Sequence, residues 1–119
     1  MTFSFDMDLT ITSWPNQIKE MMESLKQNGH EVYVLTGAID PMYTHEDVRQ
    51  QELAELGIFI GRHYDDILIC HSDSDSGVAS LKGKYCKDYS IDCHVDDKEE
   101  YLNAVKKISP DTLRLMVMP

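Results

Sequence analysis

The sequence predicts an α/β domain: a three-layer, Rossmann-like parallel sheet of about five strands with helices on both faces. Two observations carry this. Short apolar runs of strand length alternate with stretches whose apolar residues recur at helical spacing, and the alternation repeats along the whole chain. Polar and acidic residues gather directly after the apolar runs, where parallel sheets of this kind place their ligands.

Phe3 to Met7 reads as a short buried strand. Trp14 to Gln27 carries Trp14, Ile18, Met21, Met22 and Leu25 at helical spacing, with Ser13 as N-cap, Pro15 in the first turn and Asn28-Gly29 as the stop. Trp14, Met21 and Met22 are expected on its buried face. Glu31 to Leu35 is the second strand and ends at Thr36-Gly37. Thr44 with Asp47 reads as a variant capping box opening a helix that runs to Leu56 before Gly57. Ile58 to Ile60 fits a short strand or a turn. Asp66 to Cys70 is the third strand, and the Ser/Asp loop after it leads into a helix from Val78 to Tyr89. Ile91 to Val95, a helix from Lys98 to Lys107 and a closing strand from Leu113 to Val117 complete the pattern. With no internal repeat and no linker-like stretch, residues 1–119 are expected to form one domain.

The formal charge of −10 disfavours nucleic acid and anionic membrane as partners. No apolar run approaches the roughly 20 residues that a membrane helix requires. The three cysteines, Cys70, Cys86 and Cys93, form no CxxC pair, which speaks against a disulfide framework or a structural zinc site and for a reducing, cytoplasmic compartment.

The chemistry-bearing residues sit at predicted strand ends. Asp6 and Asp8 lie at the end of the first strand; two carboxylates placed together are costly unless a cation or a shared proton relieves them, and a hard divalent ion such as Mg²⁺ suits all-oxygen ligands. Thr36-Gly37 after the second strand offers a hydroxyl and backbone N–H groups for phosphoryl oxygens. Asp96-Asp97 after the fourth can complete a metal site begun by Asp6, or one of the pair can serve as a helix N-cap. Of Lys82, Lys84 and Lys87, one reaching the site would offset the carboxylates. His71, Asp73 and Asp75 read as a solvated loop, and His94 as a core histidine inside a strand.

In chain order these features, FSFDMDLT, VYVLTG, a lysine within SLKGKYCK, and IDCHVDD, resemble the motifs of the haloacid dehalogenase superfamily over residues 3–97. The resemblance implies Asp6 as the nucleophile of an aspartyl-phosphate mechanism and Asp8 as general acid, then base. It implies Mg²⁺ held by Asp6, the Asp8 carbonyl and Asp96, with Asp97 as a ligand or close partner. It gives Thr36, the Gly37 amide and Lys82 to phosphate binding, with Lys84 the runner-up. An acid at position 8 favours phosphoryl transfer over dehalogenation, because an alkoxide needs a proton and a halide does not. Leu9 stands where many members carry glycine. The gaps after the first two strands are too short for the lid domains common in the family, which implies a capless, open site. Such a site suits a phosphate on a large substrate, or a lid supplied by a second copy of the chain.

Two other readings compete. A receiver-type phosphoacceptor domain has similar length and residues, but its order of Asp, Thr and Lys differs from that found here. A catalytically silent protein with this fold, binding metal or a partner only, would keep the same residues without turnover.

Overall fold

In the computed structural model, which describes residues 1–119, the strands are β1 (Thr2–Phe5), β2 (Glu31–Ala38), β3 (Asp66–His71), β4 (Cys93–Asp96) and β5 (Leu113–Met116). They form one all-parallel sheet in the order β3-β2-β1-β4-β5. Four helices connect them: α1 (Pro15–Gln27), α2 (Glu46–Glu55), α3 (Asp75–Asp88) and α4 (Glu99–Ile108). A π-helical turn, Met7–Ile11, follows β1, and a 3₁₀ turn, Pro41–Thr44, precedes α2.

The strands sort their side chains between two cores. Val32, Val34, Ile67, Cys93 and Val95 pack with Ile18 and Met22 of α1 and Leu53 of α2. Leu35, Leu68 and Cys70 pack with Val78 and Cys86 of α3 and Val105 of α4. Strand side chains alternate between faces, so α1 and α2 cover one face of the sheet and α3 and α4 the other. This is the three-layer arrangement expected. Chain direction across the sheet reverses between β1 and β4, and that switch point opens a crevice at their carboxyl ends.

Several local expectations are corrected. Trp14, not Ser13, is the N-cap residue of α1 and its side chain makes no capping bond; its indole N–H instead donates to the Met118 carbonyl. Only Met22 of the three apolar residues assigned to the helix's buried face is buried, while Trp14 and Met21 are exposed. At the other end, Gly29 takes a left-handed φ of 84°, which lets the His30 amide fold back onto the Leu25 carbonyl. The Thr44–Asp47 capping box does not form, because Thr44 donates to Pro41 and His45 is the N-cap residue of α2. Residues 58–60 form no strand; only Ile60 makes an isolated bridge, to Tyr64. Helix α3 starts three residues earlier than expected, since the Ser74 hydroxyl accepts from the Gly77 amide and caps it.

Helices α3 and α4 approach most closely at Gly83. A Cβ there would lie 2.9 Å from the Ile108 Cβ and 3.0 Å from the Ala104 carbonyl oxygen, neither of which is the free end of a flexible side chain. Alanine would gain about 1 kcal/mol of helix propensity but overpack the interface, which costs about 1–3 kcal/mol. Gly83→Ala is therefore expected to lower the thermal midpoint rather than raise it, as a melting curve would show.

Candidate active site

Three of the residues that the sequence placed at strand ends, Asp6, Asp96 and Asp97, converge on the crevice between β1 and β4. The Asp6 amide donates to the Val95 carbonyl, continuing the strand pairing by one residue and carrying the Asp6 side chain to the sheet edge. The backbone then turns sharply: Asp8 is extended and Leu9 adopts a left-handed φ of 62°. That is the conformation glycine takes without strain, so Leu9 stores roughly 1–2 kcal/mol in this turn. It is also what separates the two carboxylates, leaving Asp6 buried and the Asp8 side chain 60% exposed.

Asp6, Asp96 and Asp97 bring carboxylate oxygens within 4.8 Å of one another. Thr10 ties the outer pair together, its hydroxyl lying 3.2 Å from Asp6 Oδ2 and 3.3 Å from Asp97 Oδ1. Lys82, fully buried, settles the choice among the three lysines, since Lys84 and Lys87 are exposed. Its ammonium donates to Asp6 Oδ1 at 2.8 Å and to Asp96 Oδ2 at 2.6 Å, beneath the Tyr101 ring. Neither Asp96 nor Asp97 is the N-cap residue of α4, which is Lys98; Asp96 Oδ1 instead accepts from the Asp97 and Lys98 amides.

Strand β2 runs on past the expected end, so Thr36 and Gly37 lie inside it rather than after it. β1 reaches only to Phe5, opposite Val34, so the last residues of β2 have no strand on the β1 side. Thr36 Oγ1 is buried there without a hydrogen-bond partner.

Two residues near the site have roles that the sequence did not assign: His94, which is the core strand histidine expected, and Arg49. His94, fully buried behind it, has Nε2 2.9 Å from Asp96 Oδ2 and Nδ1 2.7 Å from the Ser4 hydroxyl. Burial pushes its pKa down, outweighing the pull of Asp96. The neutral ring then donates from Nε2 to Asp96 and accepts at Nδ1 from Ser4, which fixes the orientation of the carboxylate. The IDCHVDD segment contains this histidine, but nothing in strand alternation distinguishes it from an inert core residue. Arg49, buried on α2, lays its guanidinium on Asp8, with Nη2 2.8 Å from Oδ2 and Nη1 3.3 Å from Oδ1. Its one sequence signal is that it is the sole basic residue of an otherwise acidic and neutral helix.

Asp6, Asp8, Gly37, Arg49 and Asp97 line a pocket of about 360 Å³ together with Tyr43 and Tyr101, whereas Lys82, Asp96, Thr36 and His94 are buried outside its lining. A larger groove, about 520 Å³, lies between α1 and β5, but it is mainly apolar and holds none of the clustered acids.

Electrostatics set the character of the crevice. Burial raises the Asp6 pKa from 3.8 to about 8; Lys82 opposes this and Asp96 adds to it. Burial would raise Asp96 too, but hydrogen bonds and charges from His94 and Lys82 hold it below the usual carboxylate range. Lys82 is raised, because its two carboxylate partners outweigh its own burial. Three carboxylates against one ammonium leave an excess of negative charge, which a proton on Asp6 relieves in the metal-free chain. A hard divalent cation, suited to an all-oxygen donor set of this spacing, would relieve it better.

A pH prediction follows for the metal-free chain. Between 3.8 and about 8, Asp6 binds a proton in the fold that the unfolded chain lacks, so its contribution to stability is lost as pH rises through that window. His63 and His94 are fully buried and lowered by burial from 6.5, so stability is lost as pH falls below that value. Stability should peak near pH 6.5, each group contributing a slope of at most about 1.4 kcal/mol per pH unit. Thermal midpoints across the range test this, and Asp6→Asn should flatten the fall between pH 6.5 and about 8 and steepen the rise on the acid side, where Asp6 opposes the histidines.

No protein-family model matches the chain, and the comparison with curated proteins finds no match.

Proposed function

We propose that this protein is a divalent-metal-dependent phosphomonoesterase of haloacid dehalogenase type, acting through an aspartyl-phosphate on Asp6. The observation that carries the reading is the close set of Asp6, Asp96 and Asp97 carboxylates, with the Lys82 ammonium buried between Asp6 and Asp96. In this reading Asp6 is the nucleophile, Lys82 the countercharge, and the unpartnered Thr36 hydroxyl a donor to phosphoryl oxygen.

Asp6, Asp96 and Asp97 would hold Mg²⁺, together with the Asp8 carbonyl that the family resemblance adds. Bound there, the ion supplies charge neutralisation for the phosphoryl group. Asp6 attacks phosphorus with one carboxylate oxygen while the bond to the leaving oxygen breaks, and Asp8 gives that oxygen its proton. Water then attacks phosphorus, Asp8 takes the proton from water, and the bond to Asp6 breaks to release inorganic phosphate. Lys82 and Thr36 bind phosphoryl oxygens, with the Gly37 amide as a third donor, and His94 holds Asp96 in place.

The exposed Asp8 and Leu9, with no lid domain over them, fit a phosphate carried on a large substrate. The negative surface disfavours nucleic acid. No helix is long and apolar enough to cross a membrane, and all three cysteines are unpaired and buried, in keeping with a cytoplasmic setting. The test is hydrolysis of a generic aryl phosphate with Mg²⁺ and with EDTA. Turnover that needs the metal supports the reading. Mg²⁺ that raises the melting temperature without any turnover would favour the silent, metal-binding alternative.

A further inference from the structure

We propose that Leu9 and Ile39 form a binding site for an apolar leaving group, so that the substrate is a phosphomonoester of an aryl or long alkyl alcohol rather than a sugar phosphate or a nucleotide. The inference rests on the phosphatase reading above and deepens it.

Leu9 is unfavourably placed in both backbone and side chain. Its φ of 62° lies in the region that glycine enters freely, and its side chain is 56% exposed, so burial in the core does not offset the strain. The turn does not require leucine. The Leu9 amide donates to Thr12 Oγ1 at 2.9 Å, a bond open to any residue except proline. What leucine adds over glycine is an apolar side chain in the lining of the acid pocket, one residue after Asp8. Strain without a packing role is the kind stored where a side chain meets a ligand. A second apolar side chain, that of Ile39 directly after β2, lines the same pocket and is 46% exposed.

The polar groups of the lining select in the same direction. Its two cations are already paired, Arg49 with Asp8 and Glu52, and Lys98 with Asp75 at 3.0 Å. The Tyr101 hydroxyl donates to Asp75 at 2.8 Å. A leaving group rich in hydroxyls would have to displace these partners or leave its own groups unpaired. A second anion on the leaving group would meet Asp40, which has no ion-pair partner, and no unpaired cation. An alkyl chain or an aromatic ring meets neither obstacle, and it covers the apolar surface of Leu9 and Ile39.

The test is hydrolysis of three phosphates of equal size and similar phenol basicity: 4-butylphenyl, 4-(3-hydroxypropyl)phenyl and 4-(2-carboxyethyl)phenyl phosphate. Methyl phosphate serves as a small reference. In the wild type, kcat/KM for the butyl compound should exceed that for the hydroxypropyl compound by roughly tenfold or more, with the carboxylate slower still. Leu9→Asn keeps a residue that tolerates the left-handed turn but loses the apolar surface. It should cut the butyl preference by roughly fivefold, Leu9→Gly by a similar factor and Ile39→Thr by about twofold, with methyl phosphate changed by less than about twofold. Leu9→Gly should also melt no lower than the wild type. A wild type that turns over all three compounds alike, or prefers the polar ones, overturns this inference alone. Equal losses on every substrate, methyl phosphate included, overturn it by assigning Leu9 to the geometry of the turn. A lower melting temperature with unchanged preference overturns it in favour of a packing role. If the Leu9 variants do not fold, Ile39→Thr decides by the same ratio. A wild type with no turnover of any of these esters overturns the phosphatase reading and this inference together.

Discussion

Lys82→Met is expected to destabilise the metal-free protein by about 3–5 kcal/mol, the cost of stripping the partner from a buried ion pair. The ammonium lies between Asp6 and Asp96 with no exposure to solvent, and methionine keeps its volume while removing both hydrogen bonds. The carboxylates left behind face one another and Asp97 with Thr10, His94 and two backbone amides as their donors. In a chain of 119 residues this corresponds to a fall in thermal midpoint of roughly 10 °C or more. Two controls isolate the cause. Above about pH 8, Asp6→Asn in the Lys82→Met background should recover part of the loss, because a neutral amide replaces a buried carboxyl that is costly either to ionise or to keep protonated there. Mg²⁺ should protect the single variant more than the double one. A loss below about 1 kcal/mol would mean that Lys82 is not the countercharge of the cluster.

Asp6→Asn is expected to lower turnover on the order of 10⁵-fold or more, as removal of a covalent nucleophile does in other enzymes. The same substitution should leave the metal-free protein at least as stable as the wild type at alkaline pH. Asparagine keeps the shape and the contact with Thr10, and it has no charge to bury beside Asp96. The opposite signs of the two effects make the result diagnostic: a variant that is inactive because it misfolds cannot also melt higher. Phosphate release and melting curves on one preparation give both readouts. Activity within tenfold of wild type would place the nucleophile elsewhere.

Much of this crevice was legible in the chain because it depends on which residues follow which strands. Apolar runs placed β1, β2, β3 and β4, and the polar residues just beyond them were bound to meet at one edge once the strands lay parallel. Asp6, Asp8, Asp96 and Asp97 fall in that class. The interior position of Thr36 was not legible, because β2 outlasts β1 and only neighbour pairing shows where a strand stops. Helix starts were misjudged for a related reason. A serine or threonine before a helix is a candidate cap, but Ser13 and Thr44 do not cap and Ser74 does, according to backbone geometry that the side-chain type does not specify.

By itself, the sequence determined the α/β class, the parallel sheet and the set of acids at its edge, since hydrophobic period and the alternation of strands and helices along the chain are local properties that survive folding. Tertiary structure alone decided which lysine enters the crevice, which face of α1 is dry, and that Arg49 meets Asp8. Those outcomes depend on residues separated by 76 positions in the case of Lys82 and Asp6, and by 41 in the case of Arg49 and Asp8. Over such separations no residue pattern fixes a distance; the packing of α3 against β2 and β3, and of α2 beside the π-helical turn, sets the contact.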